Sequence, residues 1–340
     1  MQLRNIAVTF CLGLVSLFIS TTAQAQYKLT NLISNQVGQA RHTDPLSVNA
    51  WGLVYAPGSP FWVSDEGSGW STLYNAAGIK QGLEVEIPSA NGAGTGSPTG
   101  IVWNGTSDFQ VQGKSSIFIF ATLDGTICAW APALDRNNAM VVATVKGASY
   151  TSLAITNKAS ANALFAANIA TGNVDMFDTN FTFVNSFTDT TLPAGFTPFG
   201  MQDIDGLLYI TFASAAGGSG GFVDVFNEAG ARVGIGPLVS DKHLNQPWGV
   251  AIAPKNFGPL SNTLLVSNNT NSGTINAFNL GSGEFVGTVK DENDKVIRID
   301  QLWGILFGGG AANDGKTNQL FFTAGPSNNL AGIFGVITAQ

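Results

Sequence analysis

Cysteine is scarce in this chain of 340 residues, which has only Cys11 and Cys128. Cys11 lies in an N-terminal segment that we expect to be removed, so an internal disulfide is excluded for the mature chain. Charged residues are also scarce, at 11%, and the net charge is −7. Because the chain is acidic and has no cluster of Lys or Arg, we do not expect it to bind nucleic acid or an anionic membrane surface.

Long apolar runs are absent after the N-terminus. Residues 1–25 contain Arg4, an apolar run between Ile6 and Ile19, and a small-residue cleavage motif that ends at Ala25. This order predicts a secretory signal peptide, since the run is too short to cross a bilayer as a helix. We therefore expect residues 26–340 to form one exported domain, periplasmic or extracellular, that is monomeric and does not insert into a membrane.

Glycine and internal repetition are abundant instead. Motifs such as "NAWGLVYAP" at 49 and "QPWGVAIAP" at 246 recur with spacings of 48 to 55 residues. The shared glycine position is occupied by Gly52, Gly100, Ser152, Gly200, Gly249 and Gly304. A second motif, a glycine followed by alternating residues and an aromatic, supplies Tyr74, Trp130, Phe177, Phe226 and Phe278. Six similar units therefore account for nearly all of the mature chain.

Each unit contains four short apolar or alternating segments, separated by Gly, Asn, Asp and Pro turns. This pattern predicts an all-β fold, a six-bladed β-propeller with four-stranded blades. We interpret the repeated aromatic residues as packing between blades. The sixth unit lacks an outer strand, so we expect residues 27–34 to fill that place, close the ring and partly bury Leu29, Leu32 and Ile33.

The paired motifs resemble those of NHL-type six-bladed propellers. The stretches "NLISNQVGQARHTDPLSVNAWGLVYAPGSPFWVSDEGSGWSTLYNAAG" and "GSPTGIVWN" are similar to an uncharacterised family of exported bacterial proteins of about this size. The resemblance covers essentially the whole mature chain. It implies the propeller fold and an exported location, and it carries no activity that can be transferred residue by residue.

Polar residues recur where the second strand of each unit ends and where the chain leads into the next blade. In a propeller both positions lie on one face, around one mouth of the central channel. The second-strand ends are Asp65, Thr122, Asn168, Ser214 and Asn268, and the leading segments add His42, Asp44, Asn49, His243 and Asp300. We expect these side chains to form a polar ring at that mouth.

One interpretation of the ring is a metal site. Asp65, Asn168, Asn268 and Asn49 offer the hard oxygen ligands that Ca²⁺ prefers. The arrangement is similar to that of gluconolactonases and regucalcin-like hydrolases, a resemblance that implies a cation able to polarise a lactone carbonyl or a bound water. The competing interpretation is that Asp and Asn cap turns at strand ends through the backbone.

The only two histidines, His42 and His243, fall in the leading segments. With Asp44 they offer a zinc alternative, although a catalytic zinc normally has three protein ligands. They are also the best candidates for a general base, because imidazole titrates near neutral pH. A loop histidine bonded to the backbone is the plainer interpretation.

Two functions remain open from the sequence. The first is an exported binding or interaction module whose channel mouth and loop face take an unknown small molecule, glycan or protein. The alternative is a divalent-metal-dependent hydrolase or lactonase with Ca²⁺ at the channel mouth. The favoured hypothesis is the binding module, because the sequence offers few ligands for a catalytic metal.

Overall fold

The structure, a computed structural model, describes residues 26–156 and 162–340. The expected signal peptide, residues 1–25, lies outside these ranges. Regular secondary structure in the described residues is β-strand, apart from one 3₁₀ helix at Gly258–Leu260. None of the helical structure in those ranges is long and apolar enough to cross a membrane.

In the described residues two strands precede the first blade, β1 (Tyr27–Ser34) and the short β2 (His42–Thr43). The first blade then follows in simple antiparallel order. Its strands are β3 (Ala50–Tyr55), β4 (Phe61–Asp65), β5 (Trp70–Tyr74) and β6 (Lys80–Glu86).

The second and third blades repeat this order, and the second carries an extra hairpin between its first two strands. The second blade and its hairpin comprise β7 (Pro98–Trp103), β8 (Gln110–Val111), β9 (Lys114–Ser115), β10 (Phe118–Thr122), β11 (Thr126–Trp130) and β12 (Met140–Thr144). The third comprises β13 (Tyr150–Ile155), β14 (Leu164–Asn168), β15 (Asn173–Phe177) and β16 (Phe183–Phe187).

The remaining three blades complete the ring. The fourth comprises β17 (Phe196–Ile204), β18 (Leu207–Ser214), β19 (Gly221–Asn227) and β20 (Val239–Ser240). The fifth comprises β21 (Pro247–Ile252), β22 (Thr263–Asn268), β23 (Ile275–Asn279) and β24 (Phe285–Thr288). The sixth comprises β25 (Leu302–Phe307), β26 (Gln319–Ala324) and β27 (Ile333–Ala339), and β1 is its fourth strand. The predicted six-bladed propeller is confirmed.

Closure by the N-terminal strand is also confirmed. β1 pairs antiparallel with β27, from Tyr27 opposite Ala339 to Ser34 opposite Ile333. Leu32 and Ile33 are each 1% exposed, and Leu29 is partly buried, as expected. β2 adds to β1 in parallel, so the edge of this blade is covered rather than left open.

The repeated glycine allows the innermost strands of neighbouring blades to approach closely. A Cβ on Gly52 would lie 2.2 Å from the Thr99 carbonyl oxygen, and one on Gly200 would lie 2.0 Å from that of Trp248. In the third blade Ser152 replaces the glycine, and its hydroxyl accepts a 3.0 Å hydrogen bond from the Met201 N–H. The motif therefore marks contacts between blades.

The aromatic residues of the second motif are buried between sheets, as the packing interpretation requires. Tyr74 of the first blade lies in one cluster with Phe321 and Phe334 of the sixth. Its ring stacks on Phe334 at a centroid distance of 5.6 Å. No disulfide supports this packing within the described residues, where Cys128 is a buried free thiol whose pKa burial raises to about 12.

Candidate functional site

Antiparallel pairing places the end of each second strand beside the start of each innermost strand. Asp65 pairs with Ala50, for example, and Asn168 pairs with Tyr150. The second-strand ends therefore share one face of the ring, which we call the polar face. Asp65, Asn168 and Asn268 belong to the first, third and fifth blades, so no two of them lie in neighbouring blades.

The two asparagines bind within their own blades. Asn168 accepts a 3.2 Å hydrogen bond from the Ser149 N–H and donates to Asp175 at 2.9 Å. Asn268 accepts from the Asn245 N–H at 3.0 Å and donates to the His243 carbonyl oxygen at 2.7 Å. Each side chain thus ties the end of a second strand to the segment that leads into the blade, which is the capping role.

Asn49 and Thr122 also bind other groups of the protein, Asn49 across to the sixth blade and Thr122 within its own blade. Asn49 accepts a 2.9 Å hydrogen bond from the Trp303 indole N–H and donates to Glu66 at 2.8 Å. The Thr122 hydroxyl accepts a 3.1 Å bond from the Thr126 N–H across the turn between β10 and β11. Both side chains are buried, so these bonds satisfy groups that have no access to solvent.

Ser214 and Asp300 lie further out on the polar face, and both are only partly buried. The Ser214 carbonyl oxygen accepts a 3.1 Å hydrogen bond from the Gln246 side chain. The Asp300 carboxylate accepts a 3.0 Å bond from the Ser327 N–H. These contacts join adjacent segments of the face.

Asp65 ends a buried chain of short hydrogen-bond contacts in the first blade. Its Oδ2 lies 2.6 Å from Thr72 Oγ1, which lies 2.7 Å from the Tyr74 hydroxyl. That hydroxyl lies 2.7 Å from Asp44 Oδ2, and Asp44 is paired with the Lys80 ammonium at 2.9 Å. Asp65 and Asp44 are 0% and 2% exposed.

The number of protons in this hydrogen-bonded chain shows which of its two carboxyl groups is protonated. Three oxygen–oxygen contacts need three protons, and the Thr72 and Tyr74 hydroxyls supply two. The Lys80 ammonium lies against Asp44, so the third proton belongs to Asp65. Burial, with a smaller contribution from the charge of Asp44, raises the pKa of Asp65 well above its usual range. Asp65 is therefore the protonated member of this chain.

The two histidines have separate environments. His42 is exposed in β2, against the N-terminal strand of the sixth blade. His243 leads into the fifth blade, where its Nδ1 lies 2.6 Å from Asp241 Oδ1 and its ring stacks on Phe285 at 3.7 Å. In residues 26–156 and 162–340, no group of three or more His, Cys, Asp and Glu side chains is arranged to hold a metal ion.

Three tryptophans close the channel at the polar face. Trp51, Trp248 and Trp303 each precede a motif glycine, and they are 5%, 8% and 3% exposed. Trp303 stacks on Trp51 at 3.6 Å and meets the edge of Trp248 at 6.0 Å. Phe199 of the fourth blade also meets the edge of Trp303 of the sixth at 5.8 Å, and side chains of blades that are not neighbours meet only near the central axis. We call this cluster the tryptophan plug.

Below the plug the channel is almost filled. The cavity among the motif glycines and the following residues has a volume of about 20 Å³. That is room for no more than one water molecule. At this depth the described residues therefore leave no room for a ligand that enters from the polar face.

As far as residues 26–156 and 162–340 show, the opposite end of the channel is open. A cavity of about 270 Å³ lies where the innermost strands of the first, second, third, fourth and sixth blades end. We call it the funnel. Its wall consists mainly of aliphatic and aromatic side chains: Leu53, Val54, Tyr55, Pro57, Ile101, Val102, Trp103, Leu153, Ala154, Ile155, Gln202, Asp203 and Leu306.

The charged side chains that the described residues place at the funnel are carboxylates. Among the described wall residues Asp203 is the only charged one, and it accepts a 3.3 Å hydrogen bond from the Gly206 N–H. Asp314 lies behind Tyr55, held by the Gly58 N–H at 2.9 Å and the Ala311 N–H at 2.6 Å. Burial first, and then the charge of Asp314, raise the pKa of the Tyr55 hydroxyl.

The sequence-based candidates all lie on the polar face, and none belongs to the funnel wall. A signal for the funnel was present in the sequence. The third residue after the motif glycine includes two large aromatics, Tyr55 and Trp103, and one carboxylate, Asp203. Nothing in the sequence shows that the tryptophans before the glycine close the other mouth, because that requires contacts between distant blades.

Comparisons of sequence place the chain beside viral relatives. No family model matches it. An uncharacterised protein of Acanthamoeba polyphaga mimivirus is 29% identical over 95% of this chain and 83% of its own length. A second mimivirus protein, also uncharacterised, is 27% identical over 92% of this chain and 86% of its own length. These relatives are viral, whereas the sequence motifs suggested bacterial ones.

Comparisons of structure agree with the propeller fold. A luciferin-regenerating enzyme aligns with a TM-score of 0.57 over 86% of this chain and 91% of its own, at 12% identity. A gluconolactonase from Xanthomonas campestris aligns with a TM-score of 0.56 over 86% and 87%, also at 12% identity. A streptogramin B lyase aligns with a TM-score of 0.51 over 93% and 98%, at 12% identity. At such low identity the likeness shows the fold alone.

Proposed function

We propose that this protein is an exported small-molecule-binding module whose ligand enters the funnel. The observation that supports the proposal is the difference between the two ends of the channel. One end is filled by the tryptophan plug, and the other opens into a cavity of about 270 Å³ with a mostly apolar wall. An apolar concave site with a few polar groups is the usual form of a small-molecule site.

The proposed class of function is the one expected from the sequence, but the proposed site is the funnel instead of the polar ring. The polar ring was expected to receive the ligand, but its asparagines cap strands and its channel mouth is occupied by Trp51, Trp248 and Trp303. The funnel is too small for a folded protein partner, so a small molecule fits better than a protein there. Export rests on the predicted signal peptide.

The alternative, a divalent-metal-dependent hydrolase or lactonase, is not the function that we favour. The oxygens of Asn168 and Asn268 accept hydrogen bonds from backbone N–H groups, and burial favours the neutral form of Asp65, so few oxygens at this face are available to Ca²⁺. The Nδ1 contact with Asp241 orients His243 in the way a general base is oriented, so the weak part of this alternative is its metal ligands.

The experiment fills the funnel and measures binding. Leu306 is partly buried in the funnel wall, so Leu306→Trp extends a larger side chain into the cavity. We expect 2-phenylethanol and 2-phenylethylamine, titrated by calorimetry, to bind the native protein and to lose at least about tenfold in affinity on this variant.

The matched control is Val184→Trp, which adds the same side chain to the exposed outer strand of the third blade, where Val184 is 52% exposed. It is expected to bind both compounds as the native protein does. Unchanged binding to folded Leu306→Trp protein, or equal losses in both variants, would remove the funnel from the proposal.

A further inference from the structure

Two acidic side chains and one basic side chain meet between the third and fourth blades. Asp224 lies in β19 and is 0% exposed, and Asp189 lies in the segment that links β16 to β17 and is 8% exposed. Arg232 follows β19 and approaches both carboxyl groups, with its Nη1 3.3 Å from Asp189 Oδ2 and 3.9 Å from Asp224 Oδ2. We call these three residues the Asp–Asp–Arg cluster.

The hydrogen bonds of the cluster stabilise one carboxylate better than the other. Asp189 Oδ1 accepts bonds of 2.8 Å and 2.6 Å from the N–H and hydroxyl of Thr191, and its Oδ2 accepts a 3.3 Å bond from Arg232. Asp224 Oδ1 accepts a 2.8 Å bond from the Val225 N–H, whereas its buried Oδ2 accepts none from the N–H and hydroxyl groups of the described residues. The Arg232 charge therefore compensates Asp189 more closely than Asp224.

The two carboxyl groups lie within hydrogen-bond distance of each other. Two ionised carboxylates in this position would repel, and one shared proton replaces that repulsion by a hydrogen bond. Burial, and then the contact with Asp189, raise the pKa of Asp224 to about 7. Burial opposes the charge of Asp189 as well, but Asp224, Thr191 and Arg232 together hold the pKa of Asp189 below its usual range.

The strands around Asp224 add no further charge to the cluster. β18 and β20, which flank β19 in its sheet, and β16 of the third blade contain no charged residue. Asp175 of β15 accepts a hydrogen bond from the Tyr150 hydroxyl instead, and Glu228 lies at the turn after β19. Asp189 and Arg232 are thus the charged groups that act most strongly on Asp224.

The cluster connects a glycine-rich segment, residues 228–238 between β19 and β20, to the neighbouring blade. The Val233 N–H bonds to the backbone of β19, and beyond it Ile235 is 102% exposed. Arg232 donates to the Thr191 hydroxyl at 2.7 Å and to the Ile235 carbonyl oxygen at 3.3 Å. The guanidinium group is therefore the contact through which a change of charge in the cluster reaches this segment.

We propose that the Asp–Asp–Arg cluster is a pH-sensitive latch between the third and fourth blades. With one proton shared between the carboxyl groups, Arg232 binds Asp189, Thr191 and Ile235 together. Loss of that proton above neutral pH places a second negative charge beside Arg232, which draws the guanidinium toward Asp224 and loosens residues 228–238. This inference goes beyond the proposed function and does not depend on it, because it concerns the joint between two blades.

The shared proton is tested by NMR of protein labelled with ¹³C at the aspartate side-chain carboxyl carbons. In the native protein one resonance is expected to titrate with a midpoint near pH 7, and to be missing from the Asp224→Asn variant. Asn keeps an oxygen for the Val225 N–H and gains an N–H that faces Asp189, so this variant imitates the protonated form. An Asp224 carboxyl group that is already ionised at pH 5 would overturn the shared proton.

The Asp189→Asn variant distinguishes the acid pair from burial alone. It removes the second carboxylate and leaves Arg232 as the partner of Asp224, so the midpoint of Asp224 is expected to fall by at least about one pH unit. Asp205→Asn, which removes an exposed carboxylate of the fourth blade, is the matched control and is expected to leave the midpoint unchanged. A midpoint near 7 in Asp189→Asn would remove the acid pair from the proposal.

The loosening of residues 228–238 is tested with trypsin, because Arg232 is a cleavage site within the segment. The rate of cleavage after Arg232 is divided by the rate after the exposed Lys255, which corrects for the pH dependence of trypsin itself. An opening coupled to the loss of one proton changes by up to about tenfold for each pH unit. The ratio is therefore expected to rise several-fold between pH 6 and pH 8 in the native protein. In Asp224→Asn it is expected to stay low and constant.

The outcomes distinguish the proton from the latch. If Asp224 titrates near pH 7 and the cleavage ratio of the native protein stays constant, the acid pair exists and the latch is overturned. If the ratio rises as much in Asp224→Asn as in the native protein, another group controls the opening, and the latch is again wrong. Neither measurement involves a ligand of the funnel, so a failure of the proposed function leaves both results interpretable.

Discussion

The two ends of the channel are built from the same repeat and have opposite character. At the polar face the residue before the motif glycine is tryptophan in three blades, and these side chains fill the axis. At the other end the residues after the glycine diverge outward and leave the funnel. The innermost strand thus contributes a packed side chain at its start and part of the funnel wall at its end. The residues that stabilise the fold and those proposed to bind a ligand therefore lie on opposite faces.

The largest expected effect comes from disrupting the tryptophan plug, which tests whether the polar face supplies stability. Trp303→Ala loses the stack on Trp51 and the edge contact with Trp248, and it leaves a cavity on the axis. Replacing a buried aromatic in this way costs about 3–5 kcal/mol in the free energy of unfolding. Urea-induced unfolding of the variant and of the native protein measures the difference.

Trp103→Ala is the control for that variant, because Trp103 is the partly exposed tryptophan of the funnel wall. We expect a clearly smaller loss of stability, together with weaker binding of 2-phenylethanol. If both variants lose the same free energy, the two ends do not divide packing and recognition as described.

Acid–base behaviour sharpens the comparison at the polar face. The pKa of Asp65 is raised by burial, so the folded protein binds one proton more than the unfolded chain between the unfolded pKa, near 4, and the folded pKa. Stability from this proton is full below the unfolded pKa and is lost as pH rises, by about 1.4 kcal/mol for each pH unit.

The Asp65→Asn variant has no ionisable group at this position, so its stability does not fall with pH for this reason. We expect the stability of the native protein relative to the variant to decrease steadily between pH 4.5 and 6.5, measured from unfolding curves. Asp300→Asn, which removes a partly buried carboxylate of the same face, is measured beside it as the control for the loss of a carboxylate there. A constant difference for Asp65→Asn would mean that Asp65 is ionised.

A moderate effect is expected from Asn49, which supports the plug. Asn49→Ala removes the acceptor of the Trp303 indole N–H and leaves that buried donor unsatisfied. The expected loss of stability is about 1–3 kcal/mol. Thermal unfolding checks this value, and a variant as stable as the native protein would show that Trp303 finds another partner.

The blade count and the closing strand could be predicted because they depend on local pattern. The spacing of Gly52, Gly100, Gly200 and the other motif residues marks the blades, and the alternation in residues 27–34 fits the missing strand. The open end of the channel could not be predicted in this way. It depends on Trp51 and Trp303, 252 positions apart along the sequence, stacking on one axis.

The polar ring also shows which features a repeat motif does not predict. Asp65, Asn168 and Asn268 end second strands on a common face, and that placement follows from chain order. Their partners do not follow from it. Whether an Asn at a strand end faces a channel or binds the N–H of Ser149 depends on the course of a neighbouring loop, which a repeat motif leaves unspecified.

The smallest effect is expected at the funnel rim, from Gln202→Ala. Gln202 is exposed at this end of the channel, as Asn49 is buried at the other, so the two substitutions remove one amide from each mouth. Because surface changes away from packed groups usually stay within about 0.5 kcal/mol, the unfolding midpoint should hardly move. A loss equal to that of Asn49→Ala would mean that the rim of the funnel also supports the fold. In that case substitutions at the rim could not alter ligand binding without also lowering stability, and the two ends of the channel would differ less than their geometry indicates.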